Sequence, residues 1–392
     1  SAPPPHRFAP PRPHIPLKLT TLTFAYPGVP AERRAELAPA ADAYQRLRDE
    51  GVEAFLLSTC LRVEVAVAGG DDLARSALQA LYGRSPRPAE VRHEREAFLH
   101  LCRVAAGLES PVVGEVEVLG QFRAAVAAFA GTYPRSHPLR RVLDGAVAAA
   151  RAARRRAGVS AHGSLAAVAA REAARHGRVA VFGAGAMARA AVEELADVEV
   201  AVFARRRLQV GGHHTRPWEE AFDALVDYPA VVSTVPGSEQ PFPTDRVAAA
   251  IGARRRPLLL VDLGMPPGFI RLPDNPHVQH LTIDAVAIRA GGPPRPDYEA
   301  ALTEEAEKAW SRIAAPDRAR SVIAGLVDQA ESAVDEEVSR FARRLQTTDD
   351  PEAVLRQAAR TVARRLLHRP ISYINSAPEA VEVLAEAFGV DR

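Results

Sequence analysis

The sequence predicts a chain of several domains, α+β at its start, α/β in its middle and helical at its end. Three observations predict this. Residues 17–94 run strand, helix, strand, strand, helix, strand, a βαββαβ layer. Residues 178–203 run strand, G-x-G-x-x-A turn, helix, strand, as a dinucleotide-binding unit does. From Asp297 onward the pattern is helical. The expected boundaries are a loose Pro-rich tail at 1–16, a catalytic domain at 17–158, a Rossmann-type nucleotide domain at 159–290 and a helical domain at 291–392.

A chain of 392 residues holds two or three domains. Its 47% hydrophobic and 25% charged content is that of a globular protein. No run of about 18 apolar residues suggests a membrane span. Ser1 to Pro16 lacks the apolar core of a signal peptide and reads as a tail. The net charge of +2 gives no global polyanion signal. Arginine nonetheless clusters at Arg140-Arg141, Arg151 to Arg156, Arg205 to Arg207 and Arg254 to Arg256. Those clusters read either as solvated helix faces or as local phosphate contacts. Cys60 and Cys102 are too few for a disulfide framework or a four-cysteine zinc site, so a reducing, cytoplasmic setting is expected.

Leu17 to Phe24 alternates and reads as a strand, and Ala31 to Glu50 as one helix. Ala54 to Thr59 and Val63 to Ala68 are strands. Read as one continuous strand, they put Ser58, Cys60, Arg62 and Glu64 on one face. Read as a tight hairpin at Thr59 to Arg62, they put the same residues at a sheet edge. Asp72 to Tyr82 is a helix and Val91 to Glu94 a short strand. In the helix Arg95 to Ala106, Phe98, Leu101, Cys102 and Ala105 form the buried stripe. Cys102 is therefore a core residue, while His100 lies off the stripe and is free for other work. Gly107 ends that helix. Helices follow from Gly114-Glu115 to about Ala130, from Pro138 to Arg156 and from Ser164 to His176.

Arg178 to Phe182 is a buried-type strand, and Gly183-Ala184-Gly185-Ala186-Met187-Ala188 opens a helix to Leu195. Gly183 permits the tight turn, Gly185 lets the backbone approach a pyrophosphate at the helix N-terminus, and Ala188 allows close packing. The strand Val198 to Phe203 is followed by Ala204-Arg205-Arg206-Arg207, with no acid for a ribose 2′-hydroxyl. Arginine there matches a 2′-phosphate, so NADP(H) is expected, with Arg205 the first contact and Arg206 the second. Strands at Ala230 to Val235, Pro257 to Leu263 and Val278 to Ile283 complete a parallel sheet. Ser233 and Thr234, at a carboxyl end, should face the cofactor. Gly291-Gly292-Pro293-Pro294 is a break before helices at Glu304 to Ala314, Ala319 to Leu345 and Pro351 to Leu367. Ile323, Leu326, Ala330, Ala333, Val334 and Val338 make an apolar stripe, which either folds back or packs against a second copy; a homodimer is the favoured reading.

Ser58-Thr59-Cys60-Leu61-Arg62 places one thiol beside one guanidinium. Cys60 is either a nucleophile or a small buried residue at a strand end. Arg62 is placed to stabilise a thiolate or to bind a carboxylate. A thiol together with a hydride donor is the combination for reducing an acyl group to an aldehyde through a thioester.

These residues resemble the glutamyl-tRNA reductase family. Ser58-Thr59-Cys60-Leu61-Arg62 is similar to its S-T-C-N-R signature, and His100 to Ser110 to its H-L-x-R-V-A-x-G-L-D-S stretch. Gly114 to Gln121 resembles G-E-P-Q-I-L-G-Q, Gly183 to Met187 resembles G-A-G-x-M, and Leu367-His368-Arg369-Pro370 resembles L-L-H-x-P. The resemblance implies that Cys60 takes the glutamyl group from glutamyl-tRNA and that NADPH reduces it to glutamate-1-semialdehyde, the first committed step towards tetrapyrroles such as haem. It implies that Arg62 holds the substrate carboxylate and that His100 assists proton transfer or orientation. Thr59, Glu64, Ser110, Glu115 and Gln121 would line the pocket. A V-shaped homodimer with a spinal helix, an aminomutase partner and no metal are also implied. Thiol and nicotinamide lie in different domains, so a domain movement between acylation and reduction is expected.

Four departures accompany the resemblance. Leu61 stands at the signature Asn, and Gly-Glu-Val-Glu replaces G-E-P-Q, adding the Glu117 carboxylate. An N-terminal N-H-x-T-A-P pattern is missing from Phe24 to Pro30, and Gly-Gly-Pro-Pro lies where the spinal helix should begin. A non-catalytic paralogue, binding tRNA or serving as a scaffold in the haem pathway, is the alternative reading. A two-domain dehydrogenase of the shikimate type ranks below both, because neither Lys18 nor Lys308 lies near a strand end of the nucleotide domain.

Overall fold

The computed structural model describes residues 18–135, 137–159, 163–237, 242–270, 272–292, 295–314, 318–345, 350–377, 381–382 and 385. The tail expected at 1–16 lies outside them, as do Pro293 and Pro294 of the break. Two compact units emerge, one of 1–132 and 138–315, the other of 133–137 and 316–392.

The first unit opens with β1 (Thr20–Ala25), α1 (Ala31–Glu36), α2 (Ala43–Asp49), β2 (Phe55–Ser58), β3 (Arg62–Val67), α3 (Asp71–Tyr82) and β4 (Glu90–His93). This is the expected βαββαβ order, with one difference. The single helix expected from Ala31 to Glu50 is two helices, broken around Pro39, which offers no N–H to a helix and disfavours helical backbone before it. The strands pair antiparallel in the order β2-β3-β1-β4, with Thr23 opposite Glu64 and Ala25 opposite Arg62. Period two then separates the side chains of β3. Val63, Val65 and Val67 join Leu22, Phe24, Leu47 and Leu78 under the helical layer. Arg62 and Glu64 point to the other face, also buried.

That second face is covered by α4 (Glu94–Ala106) and α5 (Val116–Thr132). Phe55 of β2 meets Phe122 and Phe129 of α5 at centroid distances of 5.4 and 6.4 Å. Gly107 ends α4 at φ +74°, and a Cβ there would lie 3.1 Å from the backbone N and O of Glu115. Only glycine allows both the conformation and the close approach. The loop so tightened presents Glu115. Its neighbours are held by Arg154, from α6 (Pro138–Arg156), whose Nη1 donates to the Gly114 carbonyl at 2.8 Å. Arg154 is thus a buried carbonyl clamp. Arg254 is another, donating to the carbonyls of Leu225, Tyr228 and Pro257 at 2.6–2.8 Å. For these two, neither the solvated nor the phosphate-binding reading of the arginine clusters applies.

The α/β half runs α7 (Leu165–Ala174), β5 (Arg178–Phe182), α8 (Ala186–Glu194), β6 (Glu199–Ala204), the short hairpin β7 (Gln209–Val210) and β8 (His213–His214), and β9 (Arg216–Pro217). It continues with α9 (Ala221–Asp227), β10 (Ala230–Ser233), α10 (Thr244–Ala253), β11 (Leu258–Asp262), β12 (Val278–Thr282) and α11 (Ile283–Ala290). The parallel order β12-β11-β10-β5-β6-β9 is that of a doubly wound sheet, with its switch point between β5 and β10. Ligands bind beyond the carboxyl ends of the strands at such a point.

α12 (Pro296–Ala314) belongs to the first unit and packs along α6 and α4. It starts earlier than the expected Glu304, with proline as its first helical residue. Tyr298 donates its hydroxyl to the Ala106 carbonyl at 2.7 Å, and Trp310 stacks on Phe98 at 5.5 Å. The second unit is built mainly on α13 (Arg318–Leu345) and α14 (Pro351–Ser376), which pack together. α14 continues past Leu367, through Pro370, at the cost of one backbone hydrogen bond. Leu326, Val334 and Val338 are exposed, whereas Ala333 is buried. The side chain of Ile323 lies outside the described residues.

Candidate active site

The hairpin reading of Thr59 to Arg62 is the one the structure adopts: Thr59 N–H donates to the Arg62 carbonyl at 2.8 Å. Cys60 sits at the tip, beyond β2. A cavity of about 320 Å³ opens in front of it, lined by Ser58, Thr59, Cys60, Leu61 and Arg62 of the hairpin and by Ser110, Glu115, Glu117, Val118 and Gln121. Its far wall is the α/β half, through Leu165, Met187, Thr234, Pro236, Leu263 and Met265.

Of the residues expected around Cys60, the structure brings Thr59, Arg62, Ser110, Glu115 and Gln121 to this cavity. Glu64 and His100 lie behind it, fully buried. His100 Nε2 is 3.0 Å from Glu64 Oε1 and 3.1 Å from Thr23 Oγ1. His100 is therefore not free for other work, because α4 buries its face as well as the apolar stripe. Arg62 donates to Glu64 Oε1 at 3.1 Å and to the Glu109 carbonyl. Burial pushes the Glu64 carboxyl up, but His100, Arg62 and Thr23 outweigh it and hold the group below the usual carboxylate range. Arg62 thus reaches the cavity with its charge already shared.

The cation beside Cys60 is Arg34 of α1. Its Nε and Nη2 both donate to the Cys60 carbonyl at 3.3 Å. Even so, the thiol is pushed up to about 12, first by burial and then by the Glu115 and Glu117 carboxylates, with Arg34 opposing them. Burial, then Glu117, pushes Glu115 up to about 7, against a hydrogen bond from the backbone of Leu165 at the start of α7. Glu117 is raised by burial alone. The resting site is one in which Cys60 is a thiol. Arg34 was beyond the reach of the sequence, since nothing in Ala31-Glu-Arg-Arg-Ala marks which arginine turns inward.

A second cavity, of about 800 Å³, lies at the switch point and is lined by Gly183, Ala184, Gly185, Ala204, Arg205, Arg206, Leu208, Trp218, Thr234, Val235 and Pro236. Gly183 has φ +113°, and a Cβ on it would come within 2.4 Å of Thr234 Oγ1. A Cβ on Gly185 would meet nothing within 4 Å, leaving the N-terminus of α8 open to an anion. Among the other expected cofactor residues, Ala188 packs into the core and Ser233 is buried, its Oγ facing the Val235 N–H at 3.5 Å. Met187 faces the Cys60 cavity instead, and Ala186 is exposed at the first turn of α8. Thr234 and Pro236 line both cavities, so the one at the glycine turn and the one at the thiol are neighbours with a shared wall.

Residues 23–157 match the family model for the N-terminal domain of glutamyl-tRNA(Glu) reductase, and residues 298–390 match that for its dimerisation domain. "Glutamyl-tRNA reductase 2" of Anaeromyxobacter sp. is 32% identical over 354 residues, covering 83% of each chain. The chain belongs to the glutamyl-tRNA reductase family. Another relative, glutamyl-tRNA reductase of Roseiflexus castenholzii, is 31% identical over 394 residues, 90% of this chain and 89% of its own. A solved glutamyl-tRNA reductase from Methanopyrus kandleri aligns over 94% of this chain and 96% of its own, at 24% identity and a TM-score of 0.39. As for the departures from the reductase signature, Leu61 is 5% exposed and joins the same apolar cluster as Leu165, Ala188 and Leu263 of the α/β half. Glu117 faces Cys60 across the cavity that the reductase motif surrounds. Among the described residues no helix is long and apolar enough to cross a membrane.

Proposed function

We propose that the chain reduces glutamyl-tRNA to glutamate-1-semialdehyde with NADPH, through a thioester on Cys60, opening tetrapyrrole synthesis. The observation that carries this reading is that the cavity at the thiol and the cavity at the glycine turn adjoin, sharing Thr234 and Pro236. Gly183, Gly185 and the start of α8 would hold the pyrophosphate, and Arg205 and Arg206 the 2′-phosphate. Bound there, NADPH supplies the hydride.

The chain's own residues do the rest. An aminoacyl ester carries an ammonium group next to its carbonyl. Placed by Glu115 and Glu117, it offsets the two charges that add to burial in raising the Cys60 thiol, so substrate binding itself shifts the balance towards the thiolate. The sulfur forms a bond to the acyl carbon, the ester C–O bond breaks, and the ribose hydroxyl leaves with a proton. After hydride addition to the thioester carbon, the C–S bond breaks, the aldehyde leaves and Cys60 regains its proton. Arg62, anchored by Glu64 and the Glu109 carbonyl, offers its remaining donors to the substrate carboxylate. The wall formed by Leu61, Met187 and Leu263 keeps water from the thioester.

The exposed apolar residues of α13 and α14, with the dimerisation-domain match, support a homodimer. A downstream aminomutase fits as the consumer of a reactive aldehyde, and a cytoplasmic setting fits two free thiols. Single-turnover labelling with radioactive glutamyl-tRNA tests the reaction. Wild type takes a thiol-sensitive label and Cys60→Ser takes none. The raised Cys60 thiol favours the second reading, a tRNA-binding scaffold. Tight tRNA binding with no label on wild type would establish that one instead.

A further inference from the structure

We propose that Arg34 and Asp284 form a catch that holds the nucleotide-binding half over Cys60 and is needed for the reducing step. Asp284 lies in the first turn of α11, across the domain boundary from α1. Its Oδ1 accepts from Arg34 Nη2 at 2.5 Å, and its Oδ2 accepts from the Ala31 N–H at 3.2 Å. The Arg34 side chain is 1% exposed. The same guanidinium donates to the Cys60 carbonyl, so one side chain fixes both the backbone of the hairpin tip and the position of the facing domain.

The pair is built to open as well as to close. A buried guanidinium stripped of all its partners would be costly. Arg34, however, also donates to the Val29 carbonyl, so when Asp284 withdraws the cation keeps carbonyl partners on its own domain. Asp284 is 25% exposed and regains water readily. Closure therefore gains a charge-assisted bond without opening being prohibitive. Leu61 adds to the closed side. It is buried in the apolar cluster of the nucleotide-binding half, where an amide would leave polar groups without partners. A polynucleotide ester must reach Cys60 past this wall, whereas hydride transfer needs the wall in place. Arg34 and Asp284 are positioning residues: they act through where the hairpin and the domain sit.

The proposal rests on the reductase reading, and the test separates the two. In the full-length chain, Asp284→Asn should acylate from radioactive glutamyl-tRNA within about twofold of wild type. Loss of the label after NADPH is added should slow at least tenfold, and Asp284→Glu should recover part of that rate. Without any ligand, amide hydrogen exchange of residues 29–34, which include the Ala31 N–H, should quicken in Asp284→Asn. Unchanged exchange would overturn the catch, and so would equal loss of acylation and reduction. A wild type that takes no label would overturn the reductase reading, and the exchange measurement would still decide the catch. Should Asp284→Asn fail to fold, the Asp284→Glu variant carries both measurements.

Discussion

At Cys60 the chemistry is set by three side chains that arrive from different elements. Glu115 and Glu117 oppose the thiolate and Arg34 favours it, and burial decides in favour of the thiol. Alkylation of the resting enzyme by iodoacetamide should therefore be slow at pH 8 and rise about tenfold per pH unit above it, since only the thiolate reacts. Glu115→Gln and Glu117→Gln should each speed alkylation by removing a like charge. A rate independent of both substitutions would show that the carboxylates do not act on the thiol. The thiol itself stood out from the sequence, because a lone cysteine beside an arginine at a strand end is a local pattern. Its control did not, because Arg34 and Glu115 come within range of it only through tertiary folding. His100 shows the converse. Helical spacing put it off the apolar stripe, yet a helix between a sheet and other helices buries nearly its whole circumference.

At the scale of elements, the turn from β5 into α8 is closely constrained by its neighbours. Gly183→Ala would place a methyl carbon 2.4 Å from Thr234 Oγ1 in a backbone conformation that alanine resists. We expect NADPH affinity, read by fluorescence titration, to fall at least tenfold while acylation of Cys60 persists. Parallel loss of acylation would mean that the turn supports the whole site rather than the cofactor alone. This element was readable beforehand because its strand, turn and helix are adjacent in sequence and each residue has its own steric reason. The break of α1 from α2 was readable only in part: Pro39 marks it, but alanine and arginine on both sides favour a helix. The strands β7 to β9 carried too few residues for any period to show. α14 overran its expected end because one proline costs a single bond in a helix of 26 residues.

The whole molecule carries the titration of Glu115 as a stability term. Its carboxyl is raised from 4.5 to about 7 in the folded chain, so between those values the folded state holds a proton that the unfolded chain has released. That contribution is fully present below pH 4.5 and is lost as pH rises through about 7. Glu115→Gln should flatten this part of the pH–stability profile, measured by thermal melting. An unchanged slope would mean that the group titrates normally. The succession of α+β, α/β and helical stretches could be read from the sequence because each has its own period and its own turn residues. The contact between Arg34 and Asp284 could not, since the two are 250 residues apart in the chain.

Arg34 holds the Cys60 carbonyl and the second domain with one guanidinium, and linkage makes that arrangement reciprocal. Any free energy that an occupied nucleotide cavity adds to closure also stiffens the peptide that carries the sulfur. By the same factor, an acyl group that orders the hairpin tip tightens the nucleotide. The acyl group and the nucleotide are thereby made to favour one another beyond any contact between them.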